Sequence, residues 1–131
     1  VTYQGIADDQ EKAGKKEEAK ANLAKAEAAY GEAIKIKPAY YDALNNMATI
    51  YIKQANEYQN LMNEPKITDA KYKEYETKRE EYLTKSLQYL EPATAADPNG
   101  REVLNMLKEV YAKLGQYDKS KQIKAKLESL K

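Results

Sequence analysis

Apolar residues recur three and four positions apart along most of the chain, which is the spacing of one face of an α-helix. Leu44, Met47 and Tyr51 begin one such stripe, and Tyr58, Leu61 and Met62 continue it. A second stripe contains the residues Tyr72, Tyr75, Arg79, Tyr82, Leu83, Leu87 and Leu90. Asn63-Glu64-Pro65-Lys66 lies between the stripes and is typical of a helix break, because proline lacks the backbone donor. The pattern therefore predicts two long helices that form a hairpin.

A repeated sequence motif, which we call a phrase, ends at Pro38 and again 60 positions later, at Pro98. The two copies are Ala26-x3-Tyr30-x2-Ala33-x4-Pro38 and Ser86-x3-Leu90-x2-Ala93-x4-Pro98. A second phrase follows each proline, as Leu44-x2-Met47-Ala48-x2-Tyr51 and Leu104-x2-Leu107-Lys108-x2-Tyr111. Small residues at helical spacing beside large ones allow neighbouring helices to approach closely, so both phrases indicate packed helices.

These phrases resemble the tetratricopeptide repeat family, whose 34-residue pattern is W-x2-L-G-x2-Y, then A-x3-F, then P. The resemblance implies an all-α fold, a right-handed α-solenoid of antiparallel helix pairs. It divides the single domain 1–131 into about three repeats, at about 1–38, 39–98 and 99–131. The last repeat would be a C-terminal cap, because Lys124 stands where the family has a large apolar residue and Ser120 and Leu127 stand where it has alanine.

The first two repeats depart from the family pattern in length. In the first, the helix expected at about Thr2 to Ala13 carries only Tyr3 and Ile6 as sizeable apolar residues, and Gly14 would end it. We interpret this helix as cut short or as covered by an upstream repeat. The second repeat exceeds the family period by about 26 residues, which would lengthen both of its helices. The resulting arm, residues 55–85, would extend about 20 Å beyond the solenoid.

Helix ends carry their own signals. Thr68 is a candidate N-cap for the second helix of the arm, and Asn99 with Glu102 is a candidate capping box for the helix that follows Pro98. Gly115-Gln116-Tyr117-Asp118 predicts a tight turn in the last pair. Pro92 should kink the second helix of the arm or stop it early.

Composition narrows the chemistry. Ala, Glu, Lys, Leu and Arg make up about half of the chain, as in long helices. The absence of Cys and His excludes thiol and imidazole catalysis and the usual zinc sites, so we expect no enzyme activity, no cofactor and no metal. Lys and Glu are interleaved and the net charge is +1, so we expect no nucleic-acid binding. No apolar run is long enough to span a bilayer, so we expect no membrane insertion.

The resemblance implies a concave face, built from the first helix of each pair, that binds a protein or peptide. By register, the candidate groove residues are Asn45, Asn46, Thr49, Lys53, Asn105, Glu109 and Lys113, with Asp42, Glu102 and Met106 beside them. Asn can pair with a ligand backbone through a donor and an acceptor. Family members that grip a peptide's C-terminal carboxylate use basic residues where this chain has Glu102 and Met106, so we expect no carboxylate clamp.

An alternative function is a structural or assembly role in which the arm docks on another copy or a neighbouring domain. Tyr58, Tyr72 and Tyr75 are its candidate interface residues, if they are exposed. Tyr30, Tyr51 and Tyr111 are expected at helix interfaces, and a homo-oligomer remains open. The Lys-, Tyr- and Asn-rich composition resembles repeat proteins of some gut bacteria, many of them exported, which favours a periplasmic or exported location over the cytoplasm.

Overall fold

The structure is a computed structural model that describes the backbone of residues 3–130 and the side chains of residues 17, 18 and 20–130. Within residues 3–130 the chain forms helices and no strand, so the expected all-α class is confirmed. The helices are α1 (Tyr3–Ile36), α2 (Tyr41–Met62), α3 (Asp69–Ala96), α4 (Arg101–Lys113) and α5 (Tyr117–Ser129). Each helix packs against the next along the chain, from α1 on α2 to α4 on α5.

α1 corrects the expectation of a turn at Gly14, because the helix is continuous from Tyr3 to Ile36. A single glycine costs about 1 kcal/mol inside a helix. Lys15-Lys16-Glu17-Glu18 follows it, and strong helix formers of this kind outweigh that cost. The side chains of Tyr3 and Ile6, expected on the apolar face of a first helix, lie outside the described residues.

α2 and α3 form the predicted long hairpin, and the break between them falls at the predicted place. Lys66 adopts a left-handed backbone with φ of 65°, which reverses the chain direction. Thr68 is the N-cap of α3, where its hydroxyl accepts a hydrogen bond from the Lys71 N–H at 3.2 Å. The arm is therefore a continuation of the two helices of one pair.

An early stop at Pro92 and an N-cap at Asn99 are both wrong. Pro92 does not stop α3, which continues to Ala96, and the alternative of a kink at Pro92 stays a prediction. Its missing N–H costs one hydrogen bond, and packing of the buried Ala93 beyond it offsets that loss. The N-cap of α4 is Gly100 and not Asn99. The Asn99 N–H instead donates to the Asp97 carboxylate at 3.2 Å, in the turn that follows α3.

The core lies where α2, α3 and α4 meet. Leu83, Leu90 and Leu104 are almost completely buried there, and Ala48 and Ala93 have no exposed surface. The small alanine side chains let the helix axes approach closely, as the repeated phrases predict. α5 contains no buried residue, so it is the most solvated of the helices from α2 onward.

The tight turn before α5 is confirmed. Gly115 takes a φ of 78°, which favours glycine, and α5 begins at Tyr117. Hydrogen bonds tie α5 and its C-cap to α4: the Ser120 hydroxyl donates to the Lys108 carbonyl at 2.9 Å, and the Arg101 guanidinium donates to the Leu130 carbonyl.

Candidate functional site

Three polar side-chain pairs join α2 to α4, and we call these six residues the seam. In every pair the two residues are 57 positions apart in the sequence: Asn45 with Glu102 at 3.1 Å, Thr49 with Met106 at 3.7 Å, and Asn56 with Lys113 at 3.2 Å. A constant separation over eleven residues requires two helices that run parallel, in a fixed register. α2 and α4 therefore lie side by side and point in the same direction.

The seam is polar, with different burial along its length. The Asn45 amide nitrogen donates to the Glu102 carboxylate, and Asn45 is only 9% exposed. The Thr49 hydroxyl donates to the Asn45 carbonyl at 2.9 Å. The same hydroxyl oxygen lies 3.7 Å from the Met106 sulfur. At the other end the Lys113 ammonium donates to the exposed Asn56 amide oxygen. A partly buried charge-assisted bond at one end and a solvated one at the other set the stagger of the two helices.

The seam divides the predicted groove residues into two groups. Asn45, Thr49 and Lys113 each donate a hydrogen bond within the protein, although the Asn45 amide oxygen is buried without a partner. The remaining four are exposed on the two sides of the seam: Asn46 and Lys53 on α2, and Asn105 and Glu109 on α4. Asp42 is exposed beside Asn46. The structure thus places all the predicted residues on one region but leaves only the second group free for a ligand.

The α2–α3 hairpin carries a continuous row of five tyrosine rings, which we call the tyrosine ladder. Its rings follow the order Tyr89, Tyr51, Tyr82, Tyr58 and Tyr75, with successive centroids 5.7, 6.2, 5.7 and 5.9 Å apart. Residues of α2 and α3 alternate in this order, so the rings stitch the two helices together. The Lys85 ammonium lies 5.3 Å from the Tyr82 centroid and 5.9 Å from that of Tyr51, within the range of a cation–π contact.

The ladder includes two of the three residues predicted for the arm interface, Tyr58 and Tyr75, and leaves out the third, Tyr72. Tyr58 and Tyr75 are half-buried and their rings meet at an interplanar angle of 39°, so part of their aromatic surface is used within the hairpin. Tyr72 is 43% exposed and stands outside the ladder. Leu61, on the neighbouring helix, is 38% exposed. Tyr72 and Leu61 are therefore the large apolar side chains that the arm exposes.

Sequence patterns did not single out the whole ladder, although a signal was present. Tyr51 and Tyr58 are seven residues apart, as are Tyr75, Tyr82 and Tyr89. A seven-residue spacing keeps side chains on one stripe of a helix that meets a partner helix. Two stripes with this spacing on consecutive helices predict an interdigitated stack.

Tyrosine hydroxyls inside the packed helices have perturbed acidity. Burial raises the pKa of Tyr51 to about 12, with smaller contributions from the neighbouring Tyr89 and Glu27. Burial also raises the pKa of Tyr111 to about 12, and the Tyr111 hydroxyl donates to the Glu91 carboxylate at 2.9 Å. Both hydroxyls therefore stay protonated at neutral pH, and that of Tyr111 acts as a structural donor.

No family model matches the sequence, and no curated protein matches it. Among the described side chains no group of three or more acidic residues could hold a metal ion. None of the helices described is long and apolar enough to cross a membrane. The geometry of the seam, its exposed flanks and the arm is therefore the basis for a functional assignment.

Proposed function

We propose that this chain is a non-catalytic, tetratricopeptide-like scaffold whose α2–α4 face binds a protein or peptide segment. The repetition between Pro38 and Pro98 and the parallel register of α2 and α4 support a solenoid arrangement, in which the first helices of successive pairs lie side by side. In this proposal α2–α3 and α4–α5 are two helix pairs, and α1 is the second helix of the pair before them.

The observation that carries the proposal is the position of exposed polar groups beside a rigid seam. Asn46 and Lys53 flank it on α2, and Asn105 and Glu109 flank it on α4. Because the seam bonds set the spacing of the two helices, these groups are presented in a defined geometry before any ligand arrives. Preorganised polar groups of this kind lose less conformational entropy on binding than groups on a loose surface.

The chemistry of the flanks suits a polypeptide ligand. The amides of Asn46 and Asn105 can each donate to a backbone carbonyl and accept from a backbone N–H. Lys53 supplies a positive group and Glu109 a negative one. They would favour a ligand with an acidic side chain near Lys53 and a basic side chain near Glu109. Binding of a protein segment uses all four groups.

The test compares three immobilised forms of the protein in capture from a native lysate, read by mass spectrometry. They are the wild type, a flank variant with Asn46→Ala, Lys53→Ala and Asn105→Ala, and a control variant with Lys121→Ala and Lys124→Ala on exposed α5. A partner retained by the wild type and the control but lost by the flank variant supports the proposal. A partner retained by all three contradicts it, and circular dichroism of each form verifies that helicity is unchanged.

A second candidate function is assembly through the arm, favoured by the exposure of Tyr72 and Leu61. Replacing both with Ser should abolish self-association or docking in analytical ultracentrifugation while the ladder keeps the hairpin intact. A form in which residues 56–81 are replaced by a short turn should behave in the same way. Loss of folding in the shortened form, with unchanged assembly in the Tyr72→Ser, Leu61→Ser form, would show that the arm is a core element and not an interface.

A further inference from the structure

The Asn99-Gly100 dipeptide carries a reactive side chain that neither the fold nor the proposed function uses. Asn99 is exposed in the turn between α3 and α4, and it does not cap α4. Its backbone N–H donates to the Asp97 carboxylate, but its side-chain amide makes no hydrogen bond with the described part of the chain. An amide of this kind, followed directly by glycine, is open to attack by the next backbone nitrogen.

The attacking nitrogen is the backbone nitrogen of Gly100. Gly100 is the N-cap of α4, so its N–H lies outside the hydrogen bonds of the helix. This N–H donates instead to the Asp97 carbonyl at 3.1 Å, and the Asn99 N–H donates to the Asp97 carboxylate at 3.2 Å. Because Gly100 has no Cβ, no side chain of its own shields the nitrogen. Opening of this one turn therefore frees the nitrogen to reach the Asn99 amide carbon.

The other asparagines lack one or more of these features. Six of the eight lie within helices, where the backbone N–H of the next residue is held by the carbonyl four positions before it. Asn63 follows α2 and lies in a turn, as Asn99 does. However, the Asn63 amide oxygen accepts a hydrogen bond from Gln59 at 3.4 Å, and the next residue is Glu64. Asn99 alone among the eight combines a turn, an unbonded amide and a following glycine.

We propose that Asn99-Gly100 is a self-modifying site, which converts to isoaspartate and aspartate with water as the only co-reactant. The Gly100 nitrogen gives its proton to solvent base and bonds to Asn99 Cγ. The Cγ–Nδ2 bond then breaks, and the amide leaves as ammonia with a proton from water. Water opens the resulting cyclic succinimide: opening at the Asn99 backbone carbonyl gives isoaspartate, and opening at Cγ gives aspartate. Nothing is oxidised or reduced, and the chain gains one negative charge.

The two products affect the fold differently. In isoaspartate the main chain runs through Cβ and Cγ, so the backbone before Gly100 is longer by one methylene group. Gly100 packs so closely on the Tyr41 ring that an added Cβ would lie 2.8 Å from the Tyr41 Cζ, and its carbonyl accepts from the Leu104 N–H at 3.0 Å. Isoaspartate therefore loosens the junction of α2 and α4. Aspartate adds only a negative charge near the start of α4, which is favourable.

The test follows ageing of the full chain in buffer at neutral pH and body temperature over several weeks. Ion-exchange chromatography separates the more acidic forms, and mass spectrometry with electron-transfer fragmentation distinguishes isoaspartate from aspartate. Cleavage after Lys and Arg gives peptide 86–101, in which Asn99 is the only asparagine, and peptide 54–66, which contains Asn63. We expect loss of the original wild-type peak through conversion at Asn99 before any conversion at Asn63. An Asn99→Ser protein should keep its original peak over the same period.

Variants around the turn test the roles given to Asp97 and Gly100. Asp97→Ala should convert faster than the wild type, because it removes a bond that holds the turn and a negative charge that opposes ionisation of the nearby nitrogen. Gly100→Ala is made in a Tyr41→Ala background, where the ring no longer occupies the space of the added methyl group. This double variant should convert more slowly than Tyr41→Ala alone, because the methyl group shields the attacking nitrogen.

The effect on the fold is measured on the separated products. The purified isoaspartate form should unfold at a lower urea concentration than the unaged protein, because the Tyr41–Gly100 contact is displaced. A freshly prepared Asn99→Asp protein carries the same added charge on a normal backbone. Its urea midpoint should be equal to that of the wild type or higher.

Several results would overturn the inference. One is an Asn99 amide that is still intact in the wild type after Asn63 has converted. Another is the appearance of the same acidic forms in the Asn99→Ser protein, because a different residue would then be their source. Conversion of Asp97→Ala no faster than the wild type would contradict the restraint by the turn. An isoaspartate form as stable as the unaged protein would contradict the loosened junction. The proposed function does not depend on any of these outcomes.

Discussion

The ring of Tyr41 on α2 lies against Gly100 at the start of α4, so close that a Cβ at Gly100 would be 2.8 Å from the Tyr41 Cζ. Burial raises the pKa of Tyr41 above its ordinary value, and a hydrogen bond from the Val103 backbone to its hydroxyl opposes this rise. Gly100 itself has no side chain that could cap α4. Tyr41 thus provides from another helix the contact that a capping side chain normally makes.

Gly100→Ala should destabilise the protein by about 1–3 kcal/mol, because the added methyl group displaces the Tyr41 ring. The same substitution in a Tyr41→Ala background should cost much less, since the space is then empty. Urea denaturation of the four proteins of this double-mutant cycle measures the coupling. Equal costs in the two backgrounds would show that the two residues do not compete for the same space.

The hairpin was predictable from the sequence because its signals agree with one another. Apolar residues at helical spacing, Pro65 in the break and Thr68 at the second start all point to two helices and one turn. The continuity of α1 was not predictable from Gly14, since the cost of one glycine is smaller than the summed preferences of its neighbours. Local signals agree at the hairpin, whereas at Gly14 they oppose one another.

The sequence could not predict which candidate groove residues bond within the seam and which are exposed, and the reason is geometric. The repeat places Asn45 opposite Asn105 in register, but the seam joins residues that are 57 positions apart and not 60. The difference of three positions is the stagger between neighbouring helices, nearly one turn, and depends on their packing. The repeat period therefore cannot tell which of Asn45 and Asn46 faces the neighbouring helix and which faces solvent.

Asn45→Ala should lower the free energy of unfolding by about 1 kcal/mol, because it removes the partly buried bond to Glu102. Asn56→Ala is the matched control, because it removes the other amide of the seam at an exposed position. Its effect should stay within about 0.5 kcal/mol. Chemical denaturation measures both. A larger loss in the Asn56 variant would mean that the exposed end of the seam, and not the partly buried end, sets the helix stagger.

Pro92→Ala should stabilise the protein. Pro92 lies inside α3, four residues before its end, and is exposed, so alanine can restore the missing backbone donor without disturbing the core. We expect a gain of about 1–3 kcal/mol, the range set by the helix preferences of the two residues. Thermal unfolding followed by circular dichroism provides the measurement. Glu91→Ala, at the neighbouring position, is the control that shows how much stability is lost when the bond between Glu91 and Tyr111 is removed. A loss of stability would show that α3 depends on a bend at Pro92.

Alkaline pH should destabilise the protein through Tyr51 and Tyr111. The folded pKa values of Tyr51 and Tyr111 are about 12, against an ordinary value of 10.0, so the folded state holds these protons more tightly than the unfolded state. Their contribution to stability is then complete below pH 10 and is lost as the pH rises towards 12. Urea denaturation at several pH values should show the free energy of unfolding falling across that interval.

Phenylalanine variants identify the groups behind this fall. Tyr111→Phe loses the bond to Glu91 and should be less stable at neutral pH by about 1 kcal/mol. Because it has no hydroxyl to ionise, its stability should fall less steeply between pH 10 and 12. Tyr51→Phe should also reduce the slope, and the double variant should reduce it further. If both single variants keep the wild-type slope, groups other than these two hydroxyls control the alkaline transition.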